Sequence, residues 1–349
     1  MSEQKKHPRR GLPRYAVASG LLILALAIIV LDGANLVAAL VVRSPSPHAN
    51  HPVGTTILTY HGHTNFVNAV AWSQDGNYIA SASSDRTVRV WNAFTGKTLL
   101  TYGGHSDEVT SVAWSPDGTR IASGSRDGTV QVWDPGTGRP LLTYGGHTSD
   151  VTTVAWSPDG TRIASGSADN TVRVWDIISG TTLLTYIGHN SAVQTVAWSP
   201  DGTRIASGGF DRTVQVWDSL TGKTLLVYRG HSRHVAALSW SPDNTRIASG
   251  SADGTIQVWN VATGSALLVY HGNTSAVSAV AWSPDGKHIA SGNEGAGATV
   301  DVWDAATGAA SFHYLRHTNE VLAVAWSPLG SLVASGGEDM TVQVWQATR

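Results

Sequence analysis

Beyond residue 54 the apolar positions come in short bursts separated by Gly, Pro, Asp, Asn and Ser, with no run at helical spacing. A representative window, residues 146–186, reads GHTSDVTTVAWSPDGTRIASGSADNTVRVWDIISGTTLLTY. VTTVAWS is short and β-branched, which predicts a strand. SPDG places Pro second and Gly fourth, as in a type I-like turn. RIASGS predicts a second strand and ADNT a tight turn. VRVWD alternates as a third strand, SGT turns again, and TLLTY forms a fourth.

The window repeats along the chain. One set of tryptophans is Trp72, Trp114, Trp156, Trp198, Trp240, Trp282 and Trp326. The other is Trp91, Trp133, Trp175, Trp217, Trp259, Trp303 and Trp345, and together they use all 14. The period is 42 residues, stretched to 44 once, where NEGAGA (293–298) intervenes. A single four-stranded unit cannot bury both faces. Seven such units must stack face to face, and a radial arrangement leaves the fewest open edges.

Gly-His pairs at 62–63, 104–105, 146–147, 188–189 and 230–231, with Trp-Asp pairs at 133–134, 175–176, 217–218 and 303–304, resemble the WD-repeat family. The resemblance covers residues 55–349 and implies an all-β fold, a seven-bladed β-propeller. The seventh unit ends at VQVWQATR without a fourth strand, while TTILTY (55–60) stands alone ahead of the first unit. In a closed ring, 55–60 completes the last blade.

Each regular unit also repeats a His, a Ser, an Asp and a Trp: His105, Ser123, Asp127 and Trp133 in the second, His147, Ser165, Asp169 and Trp175 in the third. Ser, His and Asp together suggest a nucleophilic triad, but a hydrolase needs one triad, not six copies. The resemblance implies instead a buried structural relay in which Asp accepts from His, His contacts Ser, and Ser meets the Trp N–H. The sixth unit departs from it, with Asn273 in place of the His, no relay Asp and the longer turn.

The remaining segments are the N-terminal 54 residues. Residues 1–14 carry five basic residues against Glu3 and form a basic tail. Residues 15–42 form a membrane anchor segment, with eleven consecutive apolar residues from Leu21 to Leu31; a helix over 15–34 is about 30 Å long and reaches across a bilayer core. Asp32 then lies near the interface. The basic tail places the N-terminus in the cytoplasm and the repeats outside, on a single-pass topology. The alternative is a protein secreted after signal cleavage, but the only tolerable small-residue site, 37–39, lies well beyond the apolar run. Residues 43–54 are a polar, Pro-rich linker.

Charge and composition narrow the functional classes. From Ser44 onward 17 Lys and Arg face 23 Asp and Glu, an acidic balance that argues against nucleic acid. Cysteine is absent. No cofactor motif and no metal-ligand spacing is present, and one relay histidine per blade lies too far from the next to share an ion. While the turns at one end of the units are nearly uniform, the other end varies: Phe66, Arg126, Phe210 and His234 are the expected partner-binding residues on this top rim. The expectation is a monomeric, membrane-anchored, non-catalytic scaffold that binds other proteins. The alternative is an extracytoplasmic ligand- or carbohydrate-binding sensor. An enzyme would have to draw on Glu108, Asp150, Glu320 and Glu338, which no spacing pairs.

Overall fold

The computed structural model describes residues 51–271, 275–295 and 298–348. Twenty-eight strands form seven four-stranded sheets, one per repeat, and no helix occurs among the described residues. The chain is a seven-bladed β-propeller. The expected anchor and its tail lie outside the described residues, as does Asn273. Among the described residues no helix is long and apolar enough to cross a membrane.

Blade 3 shows the plan. Its strands Val151–Trp156, Arg162–Ser167, Val172–Asp176 and Thr182–Tyr186 pair in sequence order. The first strand carries a register shift between Val151 and Thr153, and the same shift recurs in all seven blades. A bulge frees one residue from its own ladder. Here that residue is Thr152, whose Oγ1 donates to the Val193 carbonyl of blade 4 at 2.7 Å. The second strand is buried almost throughout because neighbouring blades cover both of its faces. A Cβ at Gly166 would lie 2.8 Å from Val193 Cγ1, so the small residue sets the blade spacing.

Both tryptophan sets join blades. The first set reaches backward: Trp156 Nε1 donates to Ala113 O at 3.1 Å, and Trp198 Nε1 to Ala155 O at 3.2 Å. Trp282 breaks the series. It faces Ser239 rather than an alanine, and its indole N–H has no acceptor among the described residues. The second set receives the preceding blade's outer strand. Tyr186 lies on Trp217 with centroids 4.5 Å apart and planes 7° apart, and six junctions are stacked this flatly, within 10°. Tyr270 on Trp303, at the irregular blade 6, is tilted by 52°.

The displaced strand, Thr56–Tyr60, pairs antiparallel with Val342–Gln346, with Leu58 opposite Val344 and Tyr60 opposite Val342. It therefore becomes the fourth strand of blade 7. Tyr60 lies on Trp91 of blade 1 at 4.3 Å, and the Thr56 hydroxyl bonds the Tyr314 hydroxyl of blade 6 at 2.7 Å. One five-residue segment thus completes a sheet and touches both flanking blades.

Deleting residues 55–60 should expose the edge of Val342–Gln346 and leave Trp91 without its stacking partner. The expected outcome is a large fall in melting temperature or a shift to strand-exchanged dimers, read by calorimetry and light scattering. An unchanged monomer with an unchanged melt would contradict closure by this strand.

Candidate functional site

In blade 2 the Asp127 carboxylate accepts from His105 Nδ1 at 2.9 Å, Ser123 Oγ donates to His105 Nε2 at 2.8 Å, and Trp133 Nε1 donates to Ser123 Oγ at 3.2 Å. The carboxylate can only accept, so Nδ1 carries a proton, and burial disfavours a second one on the ring. Nε2 of the neutral Nδ1–H tautomer is then an acceptor, Ser123 Oγ donates to it, and the indole, which can only give, donates to Ser123 Oγ. Blade 3 keeps the His147–Asp169 and Ser165–His147 bonds at 2.9 and 2.8 Å. The third link is absent there: Trp175 Nε1 is buried with no acceptor among the described residues. Its ring also stands 4.8 Å from Tyr144, farther than in any other flat stack. Blades 1, 4, 5 and 7 hold all three bonds.

The carboxylate does further work in the turn. Asp169 Oδ1 accepts from the Thr171 N–H and hydroxyl, and Oδ2 from the Thr148 N–H. Burial by itself raises its pKa. The bonds from Thr171, His147 and the backbone outweigh that and hold it at about 2. Burial pushes the pKa of His105, His147 and His231 down, against the attraction of their aspartates. Ser123 and Ser165 have no exposed surface. Their hydroxyl protons are committed to the histidines, so a substrate carbonyl has no approach to them.

Blade 6 has a different arrangement. Trp303 Nε1 still donates to Ser291 Oγ, at 2.9 Å. Asn293 takes the turn's Thr299 N–H and hydroxyl at 3.0 and 2.9 Å, as the aspartates do elsewhere, but without charge. The buried Asp301 pairs instead with His313 Nδ1 at 2.7 Å; burial pushes its carboxyl up, and the bonds from His313 and Thr299 only partly offset this.

With this geometry, the comparisons with known proteins converge. The family description "WD domain, G-beta repeat" matches residues 54–92, 96–134, 138–176 and 310–346. A second, "IFT122 first beta-propeller", matches residues 168–295. The chain belongs to the WD-repeat family. Members are commonly protein-interaction scaffolds. Similar curated proteins include Lissencephaly-1 homolog 1 of Paramecium tetraurelia, 46% identical over 43 residues, which is 12% of this chain and 11% of that protein. A ribosome biogenesis protein BOP1 homolog of Drosophila virilis is 40% identical over 57 residues, 16% of this chain and 7% of that protein. The matches therefore span only a small part of either relative's length.

On this WD-repeat frame the top rim is built by one repeated backbone bond. The residue before the relay Asp position donates its N–H to the carbonyl of the residue before the first strand. Examples are Ser84 to Phe66, Arg126 to Glu108, Phe210 to Ala192, Ala252 to His234 and Glu294 to Ala276. Backbone atoms fix these positions, so their side chains are free to differ. The sequence-selected residues then separate. Phe210 and His234, on adjacent blades 4 and 5, stack with centroids 4.6 Å apart, and Phe210 remains 47% exposed. Burial, then Arg233, pushes the His234 pKa down. Arg126 is held by Glu108 at 3.3 Å, and Glu108 also accepts from Ser84 Oγ of blade 1 at 3.0 Å. Phe66 stands apart, about a third exposed.

The acidic residues also sort themselves. Glu338 is raised in pKa by burial and then by Glu320 and Glu294; Glu294 is raised by burial and by Glu320. They form one acidic arc over blades 6 and 7. Sequence reading missed Glu294, because the longer turn hid its equivalence to Arg126. Among the described residues no three acidic or His side chains are arranged to hold a metal ion.

The relay should reveal itself in urea denaturation. The relay histidines of blades 2, 3 and 5 have lowered folded pKa values, so the unfolded chain binds more protons below its own value of about 6.5. Their stabilising contribution is complete above that pH and declines as the pH falls through it, so the urea midpoint should be lower at pH 5.5 than at pH 7.5. The aspartate contribution is lost only below about pH 4, toward the folded value of about 2. Asp169→Ala should cost about 1–3 kcal/mol at pH 7.5. A midpoint that rises on acidification, or an Asp169→Ala protein as stable as the parent, would contradict the structural relay.

Proposed function

We propose that this WD-repeat propeller is a non-catalytic scaffold that binds partner proteins through its top rim, with the Phe210–His234 pair as the anchor. The observation that carries this reading is a partly exposed aromatic pair bridging two blades, on a rim where one backbone hydrogen bond recurs in every blade. The fold does not require an aromatic at that position, since equivalent turns carry Ser84, Arg126, Ala168, Ala252 and Glu338. Aromatic and Arg side chains are the usual anchors of interfaces. Phe66 and Arg126 extend the same surface around the rim. The buried, committed serines support the absence of hydrolytic chemistry.

The N-terminal sequence supports tethering of the propeller to a membrane through residues 15–34, with the basic tail in the cytoplasm and the propeller on the other side. A reporter fused after Arg349 should be shielded from a cytoplasmic labelling reagent. Cytoplasmic labelling would reverse the orientation.

Phe210→Ala should weaken capture of partners, identified by proximity labelling with the parent protein, by roughly 1–4 kcal/mol. The stability cost should stay near the value of one exposed aromatic contact, about 0.5–1.5 kcal/mol. Unchanged capture would remove the rim anchor.

A further inference from the structure

At the bottom of the propeller, the end opposite the rim, three departures from the repeat meet at the junction of blades 1 and 2. Where other first turns carry proline, blade 1 has Gln74. At five junctions that proline packs 3.5–3.7 Å from where a Cβ would stand on the next blade's turn glycine, as Pro158 does at Gly202. At Gly118, the glycine facing Gln74, nothing lies within 4 Å. Blade 2 has Pro135 where other blades donate a backbone N–H across the sheet, as Ile177 does to Thr161 O and Val261 to Thr245 O. Proline has no N–H to give.

The third departure identifies what is missing. In blades 3, 4 and 5 the residue that opens the second strand is an arginine. Arg162, Arg204 and Arg246 lie over Trp198, Trp240 and Trp282 of the following blade at 4.8, 5.1 and 4.7 Å. Each also stands 3.6 Å from the aspartate of its own turn, Asp159, Asp201 or Asp243. In blade 1 that position is Tyr78. Trp114, the following tryptophan, is only half-buried, while the other six of its set are 8% exposed or less. The corresponding carboxylate, Asp75, takes bonds from Ser73 Oγ, the Asn77 N–H and Asn77 Nδ2, all neutral, and has no ion pair among the described residues. A cavity of about 600 Å³ opens here, lined by Tyr78, Leu99, Trp114 and Pro135, with Asp75 and Asp117 at its polar side.

We propose that this slot receives an arginine side chain of a partner protein, its guanidinium laid on Trp114 and paired with Asp75, as the chain's own arginines are placed at three other junctions. A cation over an indole face beside a carboxylate is a favourable site for a planar guanidinium, and less so for the more strongly hydrated ammonium of lysine. The slot is separate from the top rim and does not depend on the reading of that surface. The two can fail independently.

The test is calorimetric titration of the full-length protein with the tripeptide amide acetyl-Gly-Arg-Gly, and with its lysine and citrulline counterparts. Citrulline keeps the shape and removes the charge. The arginine peptide should bind at least about tenfold more tightly than the citrulline peptide, and more tightly than the lysine peptide. Tyr78→Arg supplies the missing group internally and should abolish binding while raising the melting temperature. Asp75→Asn, which keeps the size of the side chain, should weaken binding by about tenfold. Phe210→Ala should leave binding unchanged. Equal binding of citrulline or lysine, binding that survives Tyr78→Arg and Asp75→Asn, or no saturable binding would overturn the proposal. A dimer of the parent protein that Tyr78→Arg dissolves would make the occupant a second copy of this chain and overturn the assignment to a foreign partner.

Discussion

The tyrosine that ends each outer strand lies on the tryptophan of the next blade, and the ring depends on that contact. Backbone hydrogen bonds run within blades and give each sheet its shape, but they do not decide how sheets meet. The stacks do, together with indole N–H bonds to the preceding blade. Because each blade is both donor and recipient, the contact is meaningful only in a closed ring. Tyr60 on Trp91 completes the series. At the one junction where the stack tilts, the sixth blade also has a lengthened turn, an uncharged turn cap and a separate pair between the buried Asp301 and the exposed His313.

That contact also separates the two ends of the molecule by role. At the relay end, a carboxylate gathers a histidine, a turn threonine and the incoming loop into one rigid unit, leaving adjacent rim side chains free to vary. At the other end, prolines, arginines and turn aspartates seal the seams between blades. A change in a rim side chain beside the relay alters what the surface offers while the frame stays intact. A change at the sealed end opens a gap, as between blades 1 and 2.

Much of the fold was legible from the chain because period and alternation are local. The tryptophan spacing gave the number of blades, and the orphan TTILTY with the truncated last unit gave the closure; the pairing begins at Thr56. The members of the relay were legible from their fixed offsets, although the missing Trp175 bond is announced by no residue identity, since blade 3 carries the same four residue types as the complete relays. Relations across blades were not legible. Phe210 and His234 are 24 positions apart and belong to different units, and nothing in either unit indicates that their rings meet. Gln74, Tyr78 and Pro135 each look like an isolated lapse in its own repeat, and only the radial arrangement brings them to one seam.

The closing strand has a consequence in time. Tyr60 emerges from the ribosome roughly 280 residues before its partner Val342, which at 5–20 residues per second is a delay on the order of 15–60 s. Throughout that interval TTILTY is an unmatched β-strand beside a growing set of near-identical outer strands. The order of synthesis protects it. Each of blades 1 to 6 receives its own fourth strand within a few residues of its third, so a nearby competitor always wins. Only blade 7 is made without one. The final vacancy is therefore unique although the sequences are not: blade 7 alone takes its fourth strand from the far end of the chain.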